Sequence, residues 1–382
     1  MLTDVIIIGG SVAGSAVAAA LKNSSFSITI LESKPMAVDT NRGDLLYPSS
    51  LHILEEWGVL DDLLKEEHIK IDAVHLAIEE KFNLSISMSN AYFPFAVSME
   101  HANIEKIILK HALSEKTTLL SGAYVKEIVC GRDGIEGVIA ISKGKEILIR
   151  AKLIIGADGR NSLLRHAFNE VMHCKEYHLD AVVFTLFLEK AVEPYLAIRG
   201  NGETALLVQT IPGNGHMRVG LHLPLNKGKE WILKTQAEKL IYLASFDPLF
   251  HTGIKPIERE HIYQFHLAYV ENMTTESAVL IGDAAHEIHP ISTKGMEMAL
   301  ADAALLAKYI GVTLENISDK LKAFNDERKL AVQTTLMQTD AFASYFTPSS
   351  QIMMNYQPSD KSRLLEIIQN EYQGVLQKNC LV

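Results

Sequence analysis

The sequence predicts an α/β protein in which a mostly antiparallel sheet domain is inserted into a Rossmann-like domain. The Rossmann-like domain is predicted by a glycine-rich turn directly after an apolar run near the amino terminus, and by two later apolar runs that each end at an aspartate beside glycines. The inserted domain is predicted by a change of pattern between about residues 178 and 270, where strand-like runs alternate with turns that contain glycine and proline.

The composition of the 382-residue chain is that of a globular protein long enough for two domains. Its net charge of −10 argues against a general nucleic-acid-binding surface, which needs clustered Lys and Arg side chains.

Cys130, Cys174 and Cys380 form no metal-type or redox-type pair, so we expect a reduced, cytoplasmic protein without a metal site. Residues 5–21 are uncharged, but the preceding Asp4 and the interrupting glycines argue against a signal peptide or a membrane span. Either a monomer or a homodimer is compatible with the sequence.

The amino-terminal turn, Gly9-Gly10-Ser11-Val12-Ala13-Gly14, lies between a β-branched run and a helix of small residues. A strand, a glycine-rich turn and a helix in this order form the context of the dinucleotide-binding fingerprint. The next predicted strand ends at Glu32, 18 residues after Gly14, where an acidic side chain can accept a hydrogen bond from a ribose hydroxyl. Ser11 replaces the second glycine of the motif, and serine is small enough to let a pyrophosphate approach. The turn therefore predicts nucleotide binding by Gly9, Ser11, Gly14 and Glu32; a tight turn before a closely packed helix is the alternative.

Two further strands each end at an aspartate in a glycine-containing turn. One is followed by Asp158 in the sequence Gly-Ala-Asp-Gly-Arg, with Ser162 placed to cap a short helix, and the other by Asp283. After Asp283, the loop contains a His-Pro pair at 289–290 and leads to Gly295, where a helix with a buried face begins. A loop that enters a helix amino terminus presents free N–H groups and suits an anionic partner. Either turn alone is compatible with an ordinary cap, but together with the glycine-rich turn they indicate a cofactor site.

The predicted elements divide the chain into two domains and a tail. The Rossmann-like domain is predicted over 1–72, 98–177 and 271–340, the sheet domain over 73–97 and 178–270, and a helical carboxyl-terminal segment over 341–382. We expect residues 117–155 to form a meander of short strands, with hairpin turns at Asp133-Gly134 and Lys143-Gly144. Helical patterns are predicted at 60–67 and, within the sheet domain, at 231–244. Ligand pockets favour the seam between two such domains.

Four motifs together resemble the class A FAD-dependent aromatic monooxygenases, the family with the p-hydroxybenzoate hydroxylase fold. They are GGSVAG…LE at 9–32, RGDLLYPSSLHILEEWGVLDDL at 42–63, GADGR at 156–160 and GDAAHEIHP at 282–290. The resemblance covers nearly the whole chain and is nearest to the ubiquinone-pathway and alkylquinolone-type hydroxylases. It implies an FAD-binding domain with an inserted, mostly antiparallel substrate-binding domain.

The family pattern implies roles for particular residues. Gly9, Gly14 and Glu32 would hold the ADP half of FAD, and Arg42 would lie near the pyrophosphate or the isoalloxazine ring. Asp158 belongs to a motif that serves FAD and pyridine-nucleotide handling in relatives, and Asp283 would bind the ribityl chain. The loop from Pro290 to Met296 would run beside the flavin pyrimidine ring, where N–H groups and the helix dipole favour the negative charge of reduced flavin.

The chain departs from the family pattern at three places near the expected flavin. Thr293-Lys294-Gly295 occupies a position where relatives usually have Gly-Gln-Gly, Glu297 replaces an Asn, and His101 replaces an Arg that contacts the cofactor. Lys294 is expected to strengthen the anion site, and Glu297 either opposes it or pairs with Lys294. His101, Lys294, Gly295 and Met296 are accordingly candidate cofactor-binding residues.

The resemblance implies a monooxygenase that uses NAD(P)H and O2 through a flavin C4a-hydroperoxide to hydroxylate or epoxidise an aromatic or polyketide-like small molecule. The absence of a second glycine-rich fingerprint fits NAD(P)H that docks only transiently as a co-substrate. The departures near the flavin leave two alternatives open. One is a redox-neutral cyclase or isomerase that uses the flavin as a scaffold, and the other is a non-catalytic FAD-binding protein.

The catalytic base is not specified by the sequence. His289 and Pro290, in the expected flavin loop, are the candidate catalytic residues, and His222 and His266 in the sheet domain are alternatives. His286 is expected to stabilise the turn after Asp283. The aromatic side chains of residues 92, 93 and 95 either line a pocket for a flat substrate or belong to the core, and the core is the default interpretation.

Overall fold

The computed structural model describes residues 1–34, 43–78, 82–132, 134–168, 170–251, 253–255, 257–347 and 361–372. In these ranges the chain forms a five-stranded parallel sheet, a three-stranded meander, an eight-stranded large sheet and a three-stranded small sheet. Helices pack on these sheets. The predicted α/β class is confirmed, and the parallel sheet forms its Rossmann-like core.

The parallel sheet is buried on both faces. Its strands, in spatial order, are Ala278–Leu280, Leu153–Gly156, Val5–Ile8, Ile28–Glu32 and Thr117–Ser121. Val5 and Ile7 pack against helices, whereas Ile6 and Ile8 pack against the meander. Because successive side chains point to opposite faces, continuous apolar runs suit strands that are covered on both sides. The helices on the first face are Val12–Ala20, His101–Ala112 and Gly295–Ile310.

The carboxyl ends of the parallel strands bring the predicted cofactor residues to one edge of the sheet. Gly9 follows the first strand and Glu32 ends the second, while Asp158 and Asp283 follow the strands at Leu153–Gly156 and Ala278–Leu280. Neighbouring strands run in the same direction, so these turns lie side by side. Ligands of open α/β sheets bind at this edge.

The meander is shorter than predicted. Its antiparallel strands are Tyr124–Gly131, Gly134–Ser142 and Lys145–Arg150. The prediction was wrong for Thr117–Ser121 and for Leu153–Gly156, which both join the parallel sheet. Alternation of apolar residues marks a strand but does not specify its partner. The predicted hairpin at Lys143-Gly144 is confirmed, with φ angles of 51° and 74° that match a two-residue hairpin turn.

The large sheet is mostly antiparallel. Its strands, in spatial order, are His286–Glu287, Glu258–Val270, Met172–Phe187, His216–Pro224, Ala205–Thr210, Leu196–Gly200, Ala73–Ile78 and Phe82–Ser87. Leu196–Gly200 and Ala73–Ile78 pair in parallel, and the other neighbours are antiparallel. The domain boundary predicted at 177/178 lies inside Met172–Phe187.

The small sheet and the remaining helices complete the described chain. The small sheet contains Gly43–Leu46, Ala96–Glu100 and Ile69–Ile71. The remaining helices are Pro48–Glu56, Leu60–Leu63, Leu163–Ala167, Lys227–Leu233, Gln236–Ala244, Ile317–Phe346 and Lys361–Glu371. None of the helices in the described ranges combines the length and the hydropathy that crossing a membrane requires.

Two helix predictions need correction. The helix predicted at 60–67 ends at Leu63. The helix predicted at 231–244 is two helices that meet at Thr235, which caps the second one. The Thr235 hydroxyl accepts a hydrogen bond from the Glu238 N–H, and the Glu238 carboxylate accepts one from the Thr235 N–H, at 3.3 and 2.8 Å. This reciprocal capping box favours a new helix start over a continuous helix.

Candidate functional site

A cavity of about 730 Å³ lies between the carboxyl edge of the parallel sheet and one face of the large sheet. Residues from both sheets line it, so the cavity is located at the predicted seam between them. Ten of the predicted site residues are in its lining: Gly9, Ser11, Glu32, His101, Asp158, Asp283, Pro290, Lys294, Gly295 and Met296. Arg42 lies outside the described residues.

The glycine-rich turn is shaped by close backbone contacts. Gly9 has a φ of +101°, and a Cβ atom there would overlap the carbonyl oxygen of Ala157. A Cβ atom on Gly14 would overlap the carbonyl oxygen of Gly9. Gly14 is not among the described residues that line the cavity, so its effect on a ligand is indirect, through packing of the first helix. The Glu32 carboxylate accepts a hydrogen bond from the Gly10 N–H at 2.7 Å.

A second carboxylate lies next to this turn. The Ser11 hydroxyl donates to Glu105, whose carboxylate also pairs with Nε2 of His101 at 3.1 Å. Burial acts to raise the pKa of Glu105, but the hydrogen bonds from His101 and Ser11 outweigh it and lower the pKa. His101 therefore occupies the cavity wall as part of a polar cluster with the turn itself. Glu105 was not predicted, because its position on the helix carries no motif.

The Asp158 carboxylate accepts a backbone hydrogen bond and also lines the cavity. Its Oδ2 atom accepts a hydrogen bond from the Leu163 N–H at 2.7 Å, and the predicted cap Ser162 accepts one from the Arg165 N–H at 3.1 Å. The other carboxylate oxygen, Oδ1, is buried and has no hydrogen-bond partner among the described residues. A buried acceptor without a donor is costly, so a ligand hydroxyl that donates to it would be favoured.

A buried triad fixes the loop that carries Asp283. His286 Nε2 lies 2.9 Å from Oδ2 of Asp302, which also accepts the Gly282 N–H at 2.7 Å. Nε of Arg328 donates to Oδ1 of Asp302 at 2.5 Å. Burial would raise the pKa of Asp302, but the charges of His286 and Arg328 outweigh it and lower the pKa to about 2. His286 thus stabilises the turn, as the sequence predicted.

Asp302 and Arg328 were not predicted. The available signal was a charged residue within the apolar face of a helix, since Asp302 lies between the buried Leu300 and Ala303. Such a residue is rarely fully buried unless it is paired. Its partner on the long helix Ile317–Phe346 could not be read from the sequence, because contacts between distant helices leave no local pattern.

Arg160 connects the two aspartate turns. Its Nε atom lies 3.2 Å from Oε2 of Glu287 and 3.7 Å from Oδ2 of Asp283. Burial raises the pKa of Glu287, against the opposing charge of Arg160. His266, an alternative base, lies 3.3 Å from Glu287 and is not among the described residues that line the cavity.

The loop that is predicted to contact the flavin is held in place by the carboxyl-terminal helix. Lys294 donates to the backbone oxygen of Glu371 and lies 3.3 Å from its carboxylate, which is fully buried. The carboxylate partner of Lys294 is therefore Glu371, and the expectation of a pair with Glu297 is corrected, since Glu297 accepts a hydrogen bond from Ser49. The Tyr47 and Thr293 hydroxyls lie 2.9 Å apart. These contacts set the loop in a defined position.

The large sheet supplies the opposite wall of the cavity. Along His216–Pro224, alternate residues Arg218, Gly220 and His222 face the cavity, while the residues between them pack on the helices behind the sheet. Arg218 and His222 are 7% and 2% exposed. Burial lowers the pKa of His222 to about 4, which keeps its ring neutral near pH 7.

Other predicted substrate residues lie elsewhere. His289 is fully buried and packs among Tyr177, Phe265 and His222, and it does not line the cavity among the described residues. The prediction of His289 as a base in contact with substrate therefore disagrees with its position. Residues 92, 93 and 95 are also outside the lining; Phe93 and Phe95 pack against the core, and Tyr92 is exposed.

A protein-family model and several known proteins match most of this chain. The model of a family described as "FAD binding domain" matches residues 2–339. Ubiquinone hydroxylase UbiL of Rhodospirillum rubrum is 27% identical over 322 residues, which are 80% of this chain and 72% of that protein. FAD-dependent monooxygenase OpS4 of Beauveria bassiana is 22% identical over 361 residues, or 87% and 83% of the two chains.

A solved structure has the same fold at low sequence identity. The crystal structure of Pseudomonas aeruginosa PqsL in complex with 2-aminobenzoylacetate is 18% identical, with a TM-score of 0.82. The match covers 97% of this chain and all of PqsL, 100% of its length. The likeness extends over both sheets and the seam between them.

Proposed function

Because the chain belongs to the FAD-binding family of flavoprotein monooxygenases, we propose that it uses FAD, NAD(P)H and O2 to hydroxylate or epoxidise an aromatic or polyketide-like small molecule. The observation that carries this proposal is a single cavity lined both by the nucleotide-type turns and by the large sheet. Bound FAD, once reduced by NAD(P)H, supplies the oxygen-activating chemistry. The protein's own residues bind, orient and exclude water.

The amino-terminal part of the cavity fits the ADP half of FAD. The glycine-rich turn lines this part of the cavity, and the first helix directs its amino terminus there, which favours the negative charge of a pyrophosphate. Glu32 is the acceptor for ribose hydroxyls. The unpartnered Oδ1 of Asp158 is a further acceptor that a ligand hydroxyl would satisfy.

The loop from Asp283 to Met296 fits the ribityl chain and the flavin ring. The Asp283 side chain is half exposed to the cavity, and the triad behind it holds its turn in place. The helix Gly295–Ile310 points its amino terminus at the ring position, which favours negative charge there. Lys294 adds a positive charge that Glu371 balances.

The large-sheet wall fits the substrate. Apolar side chains such as Leu207 and Phe265 would pack on a flat ring, while Arg218, His222 and Gln209 offer polar contacts at the same face. Arg218 gives the wall a buried positive charge, which suits one oxygen-bearing or anionic group on an otherwise apolar substrate. His222 takes the place of His289 as the histidine that contacts substrate.

A flavin-scaffolded, redox-neutral reaction is the second candidate. It is favoured by the Glu371 carboxylate, which offsets the charge of Lys294 and leaves the helix dipole as the main support for an anionic flavin.

Coupled turnover distinguishes the two functions. The FAD-loaded protein is incubated with NAD(P)H, oxygen-18 gas and a panel of phenols, quinolones and polyketides. We expect NAD(P)H oxidation that rises with one class of compound, and a product that carries one labelled oxygen atom. Product formation without oxygen or reductant would overturn the monooxygenase proposal in favour of the redox-neutral one.

A further inference from the structure

His222 presents one ring nitrogen to the cavity and buries the other. A Cβ atom on Gly220, which faces the cavity, would lie 3.7 Å from Nε2 of His222, so this nitrogen is on the cavity side. The other nitrogen, Nδ1, is buried and has no hydrogen-bond partner among the described residues. The role of His222 depends on which of these two nitrogens carries the proton, because a neutral imidazole has one donor and one acceptor.

The tautomer of the neighbouring His289 is fixed by the backbone. Its Nδ1 accepts a hydrogen bond from the Ile291 N–H at 3.2 Å, so Nδ1 carries no proton. Burial lowers the pKa of His289 well below its usual value, and the ring is neutral. The single ring proton is therefore on Nε2. This N–H is a buried donor without a partner among the described residues.

The two rings are adjacent and their unpaired atoms are complementary. The ring centroids of His222 and His289 lie 5.4 Å apart at an interplanar angle of 60°, and Phe265 closes the cluster against both. The donor on His289 needs an acceptor, and Nδ1 of His222 needs a partner. A direct hydrogen bond after a small adjustment, or one bridging water, satisfies both atoms. In the opposite tautomer, Nδ1 of His222 would carry the proton. Its N–H would then face the Nε2–H of His289, and no hydrogen bond could form between the two rings.

We propose that His289 is a positioning residue that holds His222 in the tautomer with its proton on Nε2, so that His222 donates a hydrogen bond into the cavity. The cavity wall then presents donors at both ends of one strand face, the Arg218 guanidinium and the His222 N–H. Such a wall selects a substrate with acceptor oxygens, as in a carbonyl, carboxylate or phenolate, and disfavours one that presents only donors there. The nature of this ligand rests on the proposed function, whereas the tautomer does not.

The test is the nitrogen-15 spectrum of protein labelled at histidine, with the His222 signals assigned by their loss in His222→Phe. In the unmodified protein at pH 7 we expect a protonated Nε2 and an unprotonated Nδ1 on His222. His289→Phe keeps an aromatic ring but removes the donor, and His222 should then populate both tautomers. His289→Gln, whose amide can donate from a similar position, should restore the single tautomer. His261→Phe, an exposed position on another strand of the same sheet, is the matched control and should change nothing.

Two results would overturn the proposal. The first is a proton on Nδ1 of His222 in the unmodified protein, a result that needs only the His222→Phe variant for assignment and no substitution of His289. The second is an unchanged single tautomer in His289→Phe, which would mean that the His289 N–H is satisfied elsewhere, for instance on the face of Tyr177, 4.4 Å away between ring centroids. The spectrum is recorded without cofactor, and FAD binding is measured separately, so failure of the proposed function would leave this result intact.

Discussion

The Asp302 carboxylate shows how one residue shapes the site from outside it. It is fully buried, and it joins the Gly282 N–H, His286 and Arg328 in one cluster behind the Asp283 turn. Removing one member of such a cluster leaves the others charged and buried, which costs more than the cluster contributes when intact. The position of Asp283 therefore depends on a helix residue that never contacts the ligand.

Asp302→Asn tests this dependence. The amide cannot balance Arg328, and we expect the free energy of unfolding to fall by about 3 kcal/mol. Urea denaturation measures the change. Asp326→Asn, an exposed position on the same helix as Arg328, is the control and should stay within about 0.5 kcal/mol of the unmodified protein. Equal stability of the two variants would contradict the role of the triad.

The lowered pKa of Asp302 predicts how the free energy of unfolding depends on pH. Its pKa is lowered from 3.8 to about 2 in the folded protein, so its contribution is present above the unfolded pKa and is lost as the pH falls towards 2. A difference of about two pKa units corresponds to roughly 2 to 3 kcal/mol. Urea midpoints measured between about pH 5 and pH 2 should fall less steeply in Asp302→Asn than in the unmodified protein. Parallel curves would show that Asp302 is not the group responsible.

Asp283 and His289 are predicted to differ in their effect on FAD. Asp283→Ala removes a proposed acceptor for the ribityl chain and should weaken FAD retention about tenfold or more. His289→Ala changes a buried residue outside the described cavity lining and should weaken retention much less. Flavin absorbance after gel filtration measures both, and equal retention would show that the ribityl assignment is wrong.

The residues that local sequence could predict are those whose partners are close in the chain. Ser162 caps the helix that starts at the next residue, and Gly9 is required by a turn visible in the motif. Glu371 pairs with Lys294 across 77 positions. Nothing in the sequence around Glu371 indicates a contact with a residue so far away in the chain. The pair could therefore be identified only from the structure.

At the scale of elements, the carboxyl-terminal helix Lys361–Glu371 supports the loop below the proposed flavin ring. It packs on the long helix Ile317–Phe346, and the Thr339 hydroxyl lies 3.2 Å from the Glu371 carboxylate. Burial raises the pKa of Glu371, against the opposing charge of Lys294. A helix far away in sequence thus determines where Lys294 is placed.

Glu371→Gln tests this support. Lys294 would remain buried without its carboxylate, and we expect a loss of about 3 kcal/mol in unfolding free energy, seen as a lower calorimetric melting temperature. Glu366→Gln, on the exposed face of the same helix, is the matched control. A melting temperature that falls equally in both would mean that helix charge in general, and not the pair with Lys294, is responsible.

The elements themselves were predicted unevenly. The glycine-turn strand and helix were predicted well, because their motif combines both element types in a short span. The strand Thr117–Ser121 was assigned to the wrong sheet, since its partner Ile28–Glu32 is distant in sequence. The break at Thr235 had a local signal in the Thr-x-x-Glu box, which the helical periodicity on both sides concealed.

At the scale of the whole molecule, the function proposed here depends on the approach of two sheets. The motif turns come together because parallel strands align their carboxyl ends, which the sequence could predict. The face of the large sheet that closes the cavity could not be predicted, because it depends on the order of eight strands, including the parallel pair Leu196–Gly200 and Ala73–Ile78. Alternation along His216–Pro224 indicates two faces but does not say which one meets a ligand.

A crystal structure of the protein with FAD is the most direct test of the central claim. We expect the ADP half at Gly9 and Glu32, the ribityl chain at Asp283, and the flavin ring between the loop 290–296 and the Arg218–His222 face. FAD bound at another place, or a cavity that remains empty at saturating FAD, would contradict it.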